Sequence, residues 1–257
     1  MKTVILAGGF GTRLSEETEI KPKPMVEIGG HPILWHIMKY YSAFGFNEFI
    51  VALGYKSEVI KQYFLNYRNL SGSLTVNLRS DKIEIYDSNC EDWVIHLVDT
   101  GINTATGGRL KRLEPFLKNE QFMLTYGDGL SNVDLHQLIS FHQKKKNIAT
   151  ITASHPPARF GEIIMNENDD VIGFSEKPQI GVGWINSGFM VFEPEIFRFL
   201  KGDETVLEAD ALEALARVGK LSAYCHDGFW QCMDTLRDKR QLDSRWADAN
   251  PPWKIWD

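Results

Sequence analysis

The sequence predicts an α/β fold: a Rossmann-like mixed, mostly parallel sheet flanked by helices, with a small β-rich insertion and a helical C-terminal portion. Two observations carry this. Short β-branched apolar runs alternate with longer segments of helical period, which is how βαβ units around a parallel sheet read in sequence. Between about 68 and 99 that rhythm gives way to short alternating runs, and it resumes afterwards. No repeat, low-complexity tract or Pro/Ser linker divides the chain, so residues 1–257 are expected to form one domain, with the helical portion spanning about 194–257.

Thr3 to Ala7 reads as a buried first strand. Pro32 to Phe44 follows as a helix, with Ile33, Ile37, Tyr40, Tyr41 and Phe44 at helical spacing and Gly45 as its stop. Glu48 to Leu53 is a second strand, and Ser57 reads as the N-cap of a helix running to about Asn66. The insertion holds the runs 74–78, 82–86 and 94–98. Beyond it come a helix over 108–117, a strand over 121–126 and a helix over 135–145. Strands are then expected at 149–154, 162–165, 171–175 and 185–192. Helices near 194–200, 206–218 and 235–247 follow, with a short strand at 221–224 among them.

A chain of this length, 43% hydrophobic and 24% charged, can bury a core without disulfides. Three cysteines without CxxC spacing argue against a disulfide scaffold or structural zinc. Lys+Arg 28 against Asp+Glu 34 leaves a net charge of −6, so a broad surface for nucleic acid or an anionic membrane is not expected. The first apolar run is too short for a signal-peptide core or a membrane span, and a cytoplasmic protein acting on small molecules is expected. The histidines form no HExxH pattern and read as surface or partly buried polar residues. Trp246, Trp253 and Trp256 near the end suit helix packing or a subunit contact, so a homo-oligomer is expected.

The most informative stretch is Leu6, Ala7, Gly8, Gly9, Phe10, Gly11, Thr12, Arg13 and Leu14, directly after the first strand. Glycines there allow a tight turn, and their amides can approach phosphate oxygens that a Cβ would keep away. Arg13, Lys21 and Lys23 add positive charge, and Pro22 and Pro24 hold the second segment extended. A dinucleotide fingerprint would need glycine at Leu14, and no P-loop pattern matches. The residues alone therefore reach a polyphosphate-binding α/β protein. Asp128, in Tyr126-Gly127-Asp128-Gly129 at the end of a buried strand, could coordinate Mg²⁺ or simply form an Asp-Gly turn.

The stretch Gly8 to Leu14 followed by Lys23-Pro24-Met25 resembles the signature of the sugar-1-phosphate nucleotidylyltransferases, although Glu16 stands where the family often has proline. The likeness runs through nearly the whole chain. Glu176-Lys177-Pro178, Asn186-Ser187-Gly188-Phe189 and the segment 228–235 narrow it to the branch that uses CTP and glucose 1-phosphate. That resemblance implies transfer of a cytidylyl group from CTP to glucose 1-phosphate, giving CDP-glucose and pyrophosphate with Mg²⁺. It places Arg13 on the triphosphate and Lys23 on the α-phosphoryl group, both as catalytic residues, and pairs Asp128 with Asp234 as metal ligands. Nucleotide contacts would come from residues 6–13, Lys23, Thr104, Gly107, Arg109 and Gly127, and sugar-phosphate contacts from Glu176, Lys177, Asn186 and Gly188. Plainer roles compete: Asp234 could cap the following helix, a task Thr235 could also do, and Arg109 could be an exposed helix residue beside Lys111 and Arg112. UTP, dTTP or GTP in place of CTP, another sugar 1-phosphate, and a noncatalytic sugar-nucleotide sensor stay open.

Overall fold

The computed structural model describes residues 1–156, 162–165, 170–175, 183–248 and 250–256. Seven strands form the central sheet: β1 (Thr3–Leu6), β2 (Glu48–Leu53), β3 (Val94–Asp99), β4 (Phe122–Tyr126), β5 (Ala149–Ser154), β6 (Ile185–Phe192) and β7 (Leu221–His226). Their order is β7-β5-β6-β4-β1-β2-β3. All neighbours run parallel except β6, which is antiparallel to both β4 and β5.

Side chains alternate across a strand, so one buried strand feeds two cores. Ile5, Phe49, Val51 and Met123 point into one, covered by the helix Ile33–Ala43 and the C-terminal tail. Val4, Ile50, Phe122 and Leu124 point into the other, closed by Leu110, Leu117, Phe197 and Leu207. The matched register, Leu6 beside Tyr126 on one side and Ala52 on the other, brings the carboxyl ends of β1, β2 and β4 out level. The loops after these strands therefore share one rim.

Several expectations change in detail. The run 94–98, read as part of the insertion, is the edge strand β3 of the main sheet; its pairing with β2 supplies the backbone partners it needs. A separate hairpin of Ser73–Asn77 with Lys82–Tyr86 is what stands apart. Ser57 is the first residue of its helix, which runs to Leu70, and Lys56 stands at the N-cap with no side-chain cap. The segment Leu207–Leu212 is a π-helix before a short α-helix, Glu213–Arg217.

His36 and His142 are fully buried, unlike the partly buried histidines expected. His36 donates from Nε2 to the Ile28 carbonyl at 2.8 Å and accepts at Nδ1 from the Trp253 indole. Trp246, Trp253 and Trp256 all pack around it, so the tail tryptophans close this chain's own core. Among the described residues no helix is long and apolar enough to cross a membrane.

Candidate active site

A cavity of about 720 Å³ opens at that rim. It is lined by residues 6–13 and 102–106 with Arg109, by Tyr126, Asn186 and Ser187, and by Asp128 and Asp234.

Lys23 sits in a one-turn 3-10 helix, Lys23–Met25, in which every residue is buried. Pro22 and Pro24 set its entry and Val26 closes the turn by donating to the Lys23 carbonyl. Behind it the Val26 carbonyl accepts from Ile33, and Ile28 is held by His36, so the segment is anchored before its ammonium reaches the cavity. That ammonium lies 2.6 Å from Asp128 Oδ2 and 2.5 Å from Asp234 Oδ1.

The two aspartates meet although they are 106 positions apart in sequence. The strand pair Gly129–Ser131 and Trp230–Cys232 runs antiparallel with Cys232 opposite Gly129, and the Met233 amide donates to the Asp128 carbonyl. The carboxylates follow immediately at the end of that ladder. Thr235 caps the helix Leu236–Ala247 through a reciprocal pair with Asp238, which leaves Asp234 free of capping duty. Arg13 reaches the other oxygen of Asp234 at 2.7 Å.

Burial works against the Lys23 charge, but the two carboxylates, Asp128 first, outweigh it and hold the ammonium pKa above the ordinary lysine value. Burial likewise disfavours the Asp234 carboxylate, and there the hydrogen bond and charge of Lys23, aided by Arg13, win and hold its pKa below the usual range. Cys232 lines the cavity with a thiol pushed up to about 12 by burial and the neighbouring Asp234 and Asp128, so at neutral pH it is no nucleophile.

Arg109 lies against the cavity but is 5% exposed. Its guanidinium donates to the carbonyls of Gly8, Leu53, Gly101 and Ile102 and to the Thr100 hydroxyl. It thereby pins the glycine loop to the 100–102 loop. Gly8 is needed for this approach, since a Cβ there would stand 2.3 Å from the guanidinium. From sequence Gly8 offers a tight turn and room for a phosphate; its close approach to Arg109 was not legible without that distant partner.

Of the other expected site residues, Leu6, Ala7, Gly9, Phe10, Gly11, Thr12, Thr104, Gly127 and Asn186 line the cavity. Gly107 and Gly188 stand outside its lining, packed against Thr205 and Tyr126 respectively. Glu176 and Lys177 lie outside the described residues. Tyr126 and Trp230 also line the cavity, although neither was among the expected site residues.

Residues 2–248 match the family described as nucleotidyl transferase. Glucose-1-phosphate cytidylyltransferase of Salmonella typhimurium is 48% identical over 258 residues, covering 100% of both chains. Mannose-1-phosphate guanyltransferase of Neurospora crassa is 27% identical over 93% of this chain and 62% of its own. Among solved structures, HddC from Yersinia pseudotuberculosis superposes with a TM-score of 0.71 at 23% identity, over 95% of this chain and 99% of that one, which speaks for the fold alone.

Proposed function

The chain belongs to the nucleotidyl transferase family, and from that membership we propose that it transfers the cytidylyl group of CTP to α-D-glucose 1-phosphate, giving CDP-glucose and pyrophosphate. The observation that supports this most is the ammonium of Lys23 set between Asp128 and Asp234, with Arg13 alongside, in a cavity walled by the glycine loop.

The attacking group is a phosphate oxygen of the sugar 1-phosphate, already an anion, so no side chain need take a proton. It bonds to the α-phosphorus of CTP opposite the bridging oxygen; that P–O bond breaks with its electron pair and pyrophosphate departs. What the protein must supply is alignment and positive charge for crowded anions. Arg13, on the rim, meets the β- and γ-phosphates with its planar fork. Lys23 exchanges a carboxylate partner for an oxygen of the α-phosphoryl group, a swap open to it because its partners are themselves anions. Thr104 and the loop amides face the nucleoside, and Asn186, with Glu176 and Lys177 carried over from the family resemblance, faces the sugar phosphate.

Asp128 and Asp234 fit Mg²⁺: they are hard oxygen donors that converge on one point already occupied by a cation, and Mg²⁺ takes one or two carboxylates and completes its shell with substrate phosphates. Among the described residues no group of three or more His, Cys, Asp or Glu could hold a metal. Held by Asp128 and Asp234, Mg²⁺ would supply positive charge to the phosphoryl oxygens.

The reading extends to a cytoplasmic homo-oligomer. Because the tail tryptophans pack within the chain, the apolar surface that supports self-association is the hairpin, where Leu74, Val76, Leu78 and Ile83 are exposed; light scattering showing a monomer overturns it. Pyrophosphate release over a matrix of nucleoside triphosphates and sugar 1-phosphates tests the activity. The fastest release is expected with CTP and glucose 1-phosphate, and binding without release overturns the enzymatic reading.

A further inference from the structure

The π-helix Leu207–Leu212 carries Glu208, which is outside the cavity's lining but hydrogen-bonded to two residues that line it, Thr106 and Tyr126. Thr106 Oγ1 donates to Glu208 Oε2 at 2.8 Å, and the Tyr126 hydroxyl donates to Oε1 at 2.5 Å. Thr106 opens the helix Thr106–Arg112 that carries Arg109, on the nucleotide side. Tyr126 ends β4 on the sugar side and passes the connection on: Asn186 Nδ2 donates to the Tyr126 oxygen at 3.4 Å, and Asn186 Oδ1 accepts from the Gly188 amide at 3.0 Å. Gly188, at φ +86°, lies so close over the Tyr126 ring that a Cβ would fall 2.4 Å from it, so the tyrosine and the Asn186 turn hold one another.

A carboxylate has only acceptors. Both hydroxyl protons must therefore point at Glu208 and away from the cavity. The free side of the Tyr126 oxygen then calls for a donor, which selects the Nδ2 end of Asn186 and turns its oxygen to Gly188. The free side of Thr106 Oγ1 accepts from the Leu207 amide at 2.9 Å in the same way. One acidic side chain thus dictates donor and acceptor directions on two walls that are 80 positions apart in sequence at Thr106 and Asn186. π-Turns often mark such functional placements, since the wider turn re-aims a side chain.

We propose that Glu208 is a positioning residue that sets the hydrogen-bond polarity of Thr106 on the nucleotide wall and of Tyr126 and Asn186 on the sugar wall. It recognises neither substrate itself; it makes Asn186 present an amide hydrogen to a sugar hydroxyl. This rests on the nucleotidyl-transfer reading above.

Glu208→Gln is the discriminating variant, because glutamine fills the same volume and would satisfy a merely packing role. Its amide must donate to one of the two hydroxyls, which turns that hydroxyl round and unsettles the wall behind it. The KM of the sugar 1-phosphate, of the nucleoside triphosphate, or of both is expected to rise about five- to fifty-fold, the scale of one misdirected buried hydrogen bond, with kcat changed less. Tyr126→Phe should raise the sugar-phosphate KM alone, and adding it to Glu208→Ala should raise that KM no further than Glu208→Ala does. A folded Glu208→Gln protein with both KM values within twofold of wild type overturns the proposal. So does full additivity of Tyr126→Phe with Glu208→Ala, which can be read even where the glutamine variant does not fold. Wild-type turnover in the same assay checks the parent reading separately; if the wild type binds both ligands without turnover, dissociation constants from calorimetry replace the KM values in the same comparisons.

Discussion

Cations stand on both sides of the glycine loop and are held in opposite ways. In front, Arg13 is 73% exposed at its side chain and Lys23 faces the cavity, and both are paired with carboxylates. Behind, Arg109 has no carboxylate within ion-pair distance among the described residues and is saturated by four carbonyls and a hydroxyl. Burial, and secondarily Arg112, lowers its pKa, yet guanidinium stays charged at any ordinary pH. The difference separates chemistry from scaffold. In the proposed reaction, a cation matched to anions would trade them for phosphates and free the carboxylates to hold a metal. A cation matched to backbone dipoles has nothing to trade, and what it holds is loop geometry.

The comparison breaks most sharply at Lys23. Lys23→Ala should lower turnover by about 10²–10⁴, the scale of one well-placed transition-state charge, in a protein whose circular dichroism is unchanged; near-normal turnover would move the reacting centre elsewhere. The two arginines should then part company. Arg109→Ala strands several buried oxygens and should cost at least about 3 kcal/mol in urea unfolding. Arg13→Ala, losing a pair with one exposed partner, should cost less than about 1 kcal/mol and instead raise the KM for the triphosphate. Equal stability losses for both would erase the distinction.

A second scaffold element behind Lys23 gives a pH signature. Burial lowers the His36 pKa from 6.5 to about 4, so as pH falls the unfolded chain takes up that proton first. Folding stability should therefore drop between pH 6.5 and 4, by up to about 3 kcal/mol from this residue, while staying flat above 6.5. Urea titrations of His36→Gln should show the slope diminished; an unchanged slope would assign it to other groups. A further effect concerns the carboxylates. Asp128→Asn and Asp234→Asn should each raise the Mg²⁺ concentration for half-maximal activity by at least about tenfold. A wild-type magnesium response in both variants would reject the paired-carboxylate site.

Much of this was legible locally. The strand feeding Gly8 and the Thr235 cap are turn and periodicity signals that act within a few residues, and they appear in the structure nearly as read; the prolines around Lys23 do not hold that segment extended as expected, because only Pro22 is extended and Pro24 sits inside a 3-10 turn, whose helical φ a proline ring also permits. Other signals misled for physical reasons. Val94–Asp99 alternates like an insertion strand because only its contact with β2 makes it part of the main sheet. His36 carries no sequence mark of burial, since the indoles that enclose it lie about 210 to 220 positions away. Glu208 is one acid among several in a helical stretch, and only the π-turn singles it out.

By itself the sequence determined the alternation of strands and helices, the glycine-rich loop after the first strand and the identity of the charged groups near it, because propensity, turn chemistry and side-chain type are local properties. Only the tertiary structure decided which charges meet. Lys23 and Asp234 are 211 positions apart and touch because a short ladder and a packed sheet bring them together, and Arg109 differs from Arg13 solely in what surrounds it. Electrostatic partnership depends on distance and dielectric, and both are set by packing rather than by position in the chain.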